Sequence, residues 1–136
     1  MNDCVLNFAN YCWQGDETKV PNVPGIYCVY ACTQNGARQI VDGLLYIGKS
    51  LRLQDRLSRH TRERDLNQDP SKSLFYAYAE LDGRKIDACE AAMIVHFRPP
   101  LNSVNTVSLG AHGDTRVTIE GAWAFRIRGT FVEQVQ

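Results

Sequence analysis

Apolar and polar positions alternate along this chain in short runs, broken twice by longer helical patterns. Pro21 and Pro24 keep the chain extended ahead of residues 26–32, whose β-branched and aromatic side chains read as a strand. Asn35-Gly36 signals a hairpin turn. Asp42-Gly43 then interrupts the return, so residues 44–47 are the firmer strand and a short insertion lies between 33 and 43. Ser50 is placed to cap a helix reaching Asp65, with Leu53 and Leu57 as its buried stripe. Residues 74–81 alternate as a third strand, and Asp82-Gly83 turns the chain. Asp87 can cap a helix over 88–97, which Pro99-Pro100 stops because neither proline donates a backbone hydrogen bond. Residues 5–13 suggest a short apolar helix. Residues 116–120 and 123–128 alternate around Gly121 as a terminal hairpin, and 133–136 read as a frayed end.

These elements predict an α/β chain of the α+β type. A small central sheet of three antiparallel strands is flanked by helices, and a C-terminal β-hairpin follows. The organisation reads as an N-terminal extension (1–21), a core (22–103) and a C-terminal loop and hairpin (104–136). No apolar run approaches the ~20 residues that span a bilayer. The start, Met1-Asn2-Asp3, carries an acid and no basic segment, unlike a secretory signal. The five cysteines show no zinc spacing and read as reduced thiols of a cytoplasmic protein, with core packing the plain role for Cys28 and Cys32.

The formal net charge is zero, which argues against a nucleic-acid binder until its distribution is considered. Lys49, Arg52, Arg56, Arg59, Arg62 and Arg64 crowd one segment, opposed there only by Asp55 and Glu63. A solvated helix face is the bland explanation. Guanidinium groups also suit phosphate and the charge that grows in phosphoryl transfer. Arg56 and His60, four apart, project to one side of that helix.

Glu90 is the anomaly of the second helix, Ala88-Cys89-Glu90-Ala91-Ala92-Met93-Ile94-Val95, which is apolar nearly all round. A buried carboxylate needs a cationic partner, a proton or a metal. A salt bridge to an arginine is one answer. A hard cation such as Mg²⁺, completed by water and phosphate oxygens, is another. Tyr27 and Tyr46 carry hydroxyls able to orient or deprotonate water, although a phenol of pKa about 10 is a poor base at neutral pH. Lys49 is the competing proton acceptor. Asn102 can tie the chain to a strand or hold a phosphate.

The strings PGIYCVY, LLYIGKSLRLQDRLSRH and EAAMIVHFRPPLN resemble the GIY-YIG nuclease domain over roughly residues 22–103. The resemblance implies that family's three-stranded fold and metal-dependent hydrolysis of DNA phosphodiester bonds by an endonuclease. It implies Glu90 as the Mg²⁺ or Mn²⁺ ligand and Tyr27 as a general base. Tyr46 would orient the water or phosphate, Arg56 would stabilise the transition state, and Lys49 and His60 would complete the catalytic set. Arg52, Arg59 and Asn102 are the substrate-binding candidates, joined by Arg116, Arg126 and Arg128 on the terminal hairpin. The expected partner is DNA, with RNA left open, and the hairpin is the candidate contact for a homodimer. The alternative is a nucleic-acid-binding module that keeps the fold without catalysis.

Overall fold

In the computed structural model, which describes residues 1–67, 69–102, 110–124 and 127–135, period-two burial begins almost at the first residue. The described elements are β1 (Asn2–Asn7), β2 (Asn10–Trp13), β3 (Gly25–Asn35), β4 (Arg38–Ser50), α1 (Leu53–Glu63), β5 (Ser73–Glu80), α2 (Ile86–Phe97), β6 (Gly113–Glu120) and β7 (Gly129–Val135). Four strands form one antiparallel sheet in the order β2-β5-β3-β4. The other three form a second sheet in the order β1-β6-β7, with β1 parallel to β6 and β7 antiparallel to it.

This corrects the expected fold. The main sheet has four strands rather than three, and a second, three-stranded sheet packs on the far side of α2. The missing strands come from residues 5–13, which are not helical. Cys4, Leu6 and Phe8 are buried while Val5 and Asn7 are exposed, a period of two that only a strand satisfies. The N-terminal extension therefore divides, β1 joining β6 and β2 joining β5.

The hairpin between β3 and β4 also differs. It turns on Gly36 and Ala37, with Gly36 at a φ of 65° in the left-handed region. The suspected insertion is absent as a loop. Val29 and Tyr30 pair with Tyr46 and Leu44, and Ala31 and Cys32 pair with Gly43 and Val41. Leu45 and Asp42 are thus extra residues, accommodated as bulges while β4 runs on. The terminal hairpin is real, but its second strand is β7; of the expected strand over 123–128, residues 123, 124, 127 and 128 are not in a strand and 125–126 lie outside the described residues. Val135 pairs with Gly113, so 133–135 are a paired strand end rather than frayed. Gly121, at a φ of 108°, folds the intervening loop onto Phe8, where any side chain would strike the Phe8 backbone. Trp123 then donates its backbone N–H to the Phe8 carbonyl at 2.9 Å.

Burial on both faces of the four-stranded sheet explains the unbroken apolar runs of β3 and β5. On one face Tyr27, Val29, Tyr76 and Tyr78 pack with Leu53 and Leu57 of α1. On the other, Ile26, Cys28, Tyr30 and Ile47 pack with α2 and the second sheet. Because α2 touches β3 and β4 on one side and β6 and β7 on the other, it is apolar nearly all round. All five cysteines are free and buried. No helix among the described residues is long and apolar enough to cross a membrane.

Candidate functional site at the end of the β3–β4 hairpin

Tyr27 and Tyr46 share a face because Tyr27 pairs with Gly48, two residues beyond Tyr46. Their rings stack with centroids 6.1 Å apart. Gly48 is required here, since a Cβ at that position would lie inside the Tyr27 ring. Gly25 plays the matching part against the Ala79 carbonyl. The two glycines of the tripeptides therefore allow close approach.

Helix α1 is docked at its start by the Leu53 N–H, which donates to the Val23 carbonyl at 3.0 Å. Its cap is Arg52 rather than Ser50, whose hydroxyl accepts from the Arg52 N–H at 2.9 Å. This register turns His60 inward to 1% exposure and half-buries Arg56. The Tyr27 hydroxyl and His60 Nε2 are 2.7 Å apart. The Arg56 guanidinium lies near enough to the hydroxyls of both Tyr27 and Tyr46 for its charge to act on them. Burial raises the Tyr27 hydroxyl well above the usual tyrosine range, against a smaller lowering pull from Arg56. Burial lowers His60 below its ordinary value despite a neighbouring carboxylate, so its ring is neutral at pH 7.

Lys49 and Glu90 lie on the opposite face of the sheet, which places the candidate residues on both sides of β4. Lys49 Nζ is 2.7 Å from Asp87 and 3.7 Å from Glu90. The side chain of Glu90 is 14% exposed, and burial raises its carboxyl above the usual range against the opposing pull of Lys49. Its charge still reaches the Tyr27 hydroxyl and raises it further. The two carboxylates hold Lys49 above its usual value against desolvation, so the lysine is a cation rather than a ready base. Asp87 does not cap α2; Lys85 occupies the cap, and Asp87 in the first turn serves Lys49.

Asn102 has a structural assignment. Its Oδ1 accepts from the Ile47 N–H at 2.9 Å and its Nδ2 donates to the Ile47 carbonyl at 2.8 Å. With Leu101 donating to the Leu45 carbonyl at 2.9 Å, this segment closes the outer edge of β4. Arg52 and Arg59 are exposed on α1, with Arg52 3.2 Å from Asp55. On the hairpin, Arg116 is paired with Asp3 and Arg128 donates to the Gly121 carbonyl. Arg126 and Phe125 lie outside the described residues. Ile127 is buried and Trp123 is half-buried, with its ring 4.1 Å from that of Tyr11.

Two acidic residues escaped the sequence pattern. Asp65 lies 2.9 Å from His60 Nδ1, brought back by Arg64 in the left-handed conformation at the end of α1. No helical periodicity links residues five apart, so only the mutual nearness of a histidine and a carboxylate in sequence hinted at it. Asp87 was visible as a capping residue, and the end of β4 redirects it to Lys49. Among the described residues no three metal-ligating side chains converge. A single partly exposed carboxylate with a loose ion pair nevertheless fits a hard divalent cation whose other ligands are water and phosphate oxygens. No family model, curated protein or solved structure matches this chain.

Proposed function

We propose that this protein is a nuclease that hydrolyses nucleic-acid phosphodiester bonds, with DNA the expected substrate. The observation carrying this reading is the meeting of Tyr27, Tyr46 and His60, with the neutral His60 2.7 Å from the Tyr27 hydroxyl and the Arg56 charge acting on both tyrosines. Such a cluster combines a fixed cation, two oriented hydroxyls and a proton acceptor, the parts that phosphoryl transfer requires. The likeness to GIY-YIG nucleases is carried by these residues and not by the sheet architecture.

Arg56 would neutralise charge developing on the phosphoryl oxygens, a contribution that grows toward the transition state. Tyr46, stacked beside Tyr27, would orient the attacking water or a phosphate oxygen. Tyr27 would take the proton of the water. A Mg²⁺ or Mn²⁺ ion held by Glu90 would polarise a phosphate oxygen. The cationic Lys49 would add positive charge beside Glu90, and the exposed Arg52 and Arg59 would bind the backbone.

A second reading, a nucleic-acid-binding module without catalysis, draws on the complete burial of Tyr27. Nicking of supercoiled plasmid separates the two. Wild type should convert plasmid to the nicked form with Mg²⁺ or Mn²⁺ and not with EDTA, and Glu90→Ala should not. Binding without nicking by wild type would establish the second reading.

A further inference from the structure

We infer that Asp65 is a positioning residue that fixes the His60 tautomer, making the Tyr27 hydroxyl a donor to His60 and opening a proton path from the site to solvent. The inference rests on the phosphodiesterase reading for its catalytic part and on geometry alone for its tautomer. A carboxylate only accepts hydrogen bonds. The Asp65 oxygens stand 2.9 and 3.1 Å from His60 Nδ1, so Nδ1 carries the proton. In a neutral ring Nε2 then has a free lone pair. Its neighbour at 2.7 Å is the Tyr27 hydroxyl, which must therefore donate.

The consequence falls on the Tyr27 oxygen. Its hydrogen points to His60, so its lone pairs are turned away from His60, toward the side on which the Arg56 charge acts. Burial disfavours a free tyrosinate. The arrangement needs none. As water gives a proton to Tyr27, Tyr27 gives its own to His60 Nε2. The hydroxide forms its bond to phosphorus while the leaving oxygen departs and is protonated by solvent. The resulting imidazolium passes its Nδ1 proton to solvent through Asp65, whose side chain is 41% exposed. That leaves the ring protonated at Nε2. As Nδ1 takes a solvent proton back by the same route, Nε2 returns its own through Tyr27 to water in the site. One proton is released in all, and the starting tautomer is restored. The buried His60 has no comparable exit of its own, at 1% exposure.

The fold builds this contact deliberately at the helix end. Arg64 takes a φ of 52° and a ψ of 29°, and its N–H donates to the His60 carbonyl at 2.9 Å. Such a left-handed cap is unfavourable for a residue with a Cβ. Leu66, 6% exposed, anchors the next turn in the core beside Leu57, which holds Asp65 between two fixed points. The charged and titratable groups acting on His60 are Asp65, Arg56 and Arg59, with the Tyr27 and Tyr46 rings against it.

Nitrogen-15 NMR of histidine-labelled protein tests the tautomer directly, with His60→Gln assigning the signal among the three histidines. At pH 8 wild type should show a protonated Nδ1 and a bare Nε2 at His60. Asp65→Ala should shift the ring toward the Nε2-protonated form, and Asp65→Glu should restore the wild-type pattern in part. Single-turnover plasmid nicking should fall roughly tenfold to a hundredfold in Asp65→Ala with DNA affinity unchanged, within the range of one acid–base contribution. A wild-type His60 protonated at Nε2 overturns the inference. So does nicking at the wild-type rate by Asp65→Ala. The expected tautomer with no nicking by wild type supports the Asp65 assignment and removes the phosphodiesterase reading instead.

Discussion

Gly48 faces Tyr27 across the β3–β4 pair, and the tyrosine ring fills the volume a side chain at 48 would need. Gly48→Ala should therefore displace Tyr27 from His60. We expect a loss of about 1–3 kcal/mol from overpacking. Nicking should be lost with it, because the displaced hydroxyl leaves both His60 and Arg56. Chemical denaturation and plasmid nicking read the two effects, and an unchanged denaturation midpoint would show that the ring is free to move aside.

Glu90 opposes stability at neutral pH. Its folded pKa is raised, so the folded state favours the protonated form, and the associated stability is present below about pH 4.5 and lost as pH rises through the folded value. Glu90→Gln should raise stability at pH 7 by roughly 1 kcal/mol, in line with removal of an imperfectly compensated buried charge. The gain should shrink at pH 4. Nicking should cease. Urea titrations at both pH values check the sign, and a destabilised variant at pH 7 would mean that the Lys49 ion pair outweighs desolvation.

Arg56→Lys should keep the charge and lose the guanidinium's bidentate geometry. One ammonium cannot reproduce the planar fork that suits a phosphate beside Tyr27 and Tyr46. The single-turnover rate should drop about 100-fold, the scale of one lost transition-state donor. DNA affinity should change little. If affinity alone changes, Arg56 positions the substrate rather than the transition state.

His60 sets an acid limit on stability. Its folded pKa lies below the unfolded value near 6.5, so the unfolded chain binds more protons in that window. The stability it contributes is complete above pH 6.5 and is lost as pH falls toward the folded value. His60→Gln should flatten this part of the stability–pH curve. Midpoints measured from pH 5 to 8 for both proteins provide the check.

The site was more legible in the sequence than the fold around it. Tyr27, Tyr46, Arg56 and His60 meet because strand and helix periods place them together, and those periods are local. Glu90 stood out because a charge in an apolar helix conflicts with its surroundings. The second sheet was not legible. Pairing of β1 with β6 depends on residues far apart in the chain, and the apolar positions Val5, Phe8, Ala9 and Cys12 fit a brief helix about as well as a strand. The bulges at Leu45 and Asp42 likewise depend on the partner strand, so Asp42-Gly43 looked like a break. Asn102 had two readings in the sequence, and its bidentate hold on Ile47 is visible only once β4 is an edge.

The parallel pairing of β1 with β6 bears on the order in which the chain is made. Asn2 and Thr115 are bonded across 113 positions. During synthesis β3, β4, α1, β5 and α2 leave the ribosome before β6 and β7 exist. The face of α2 destined for the second sheet, and the apolar side of β1, must wait uncovered through that interval. Such late long-range closure is slow and leaves the nascent chain prone to association. A chaperone acting on this protein during translation would therefore find its binding surface on β1 and α2, and would release it when β6 arrives.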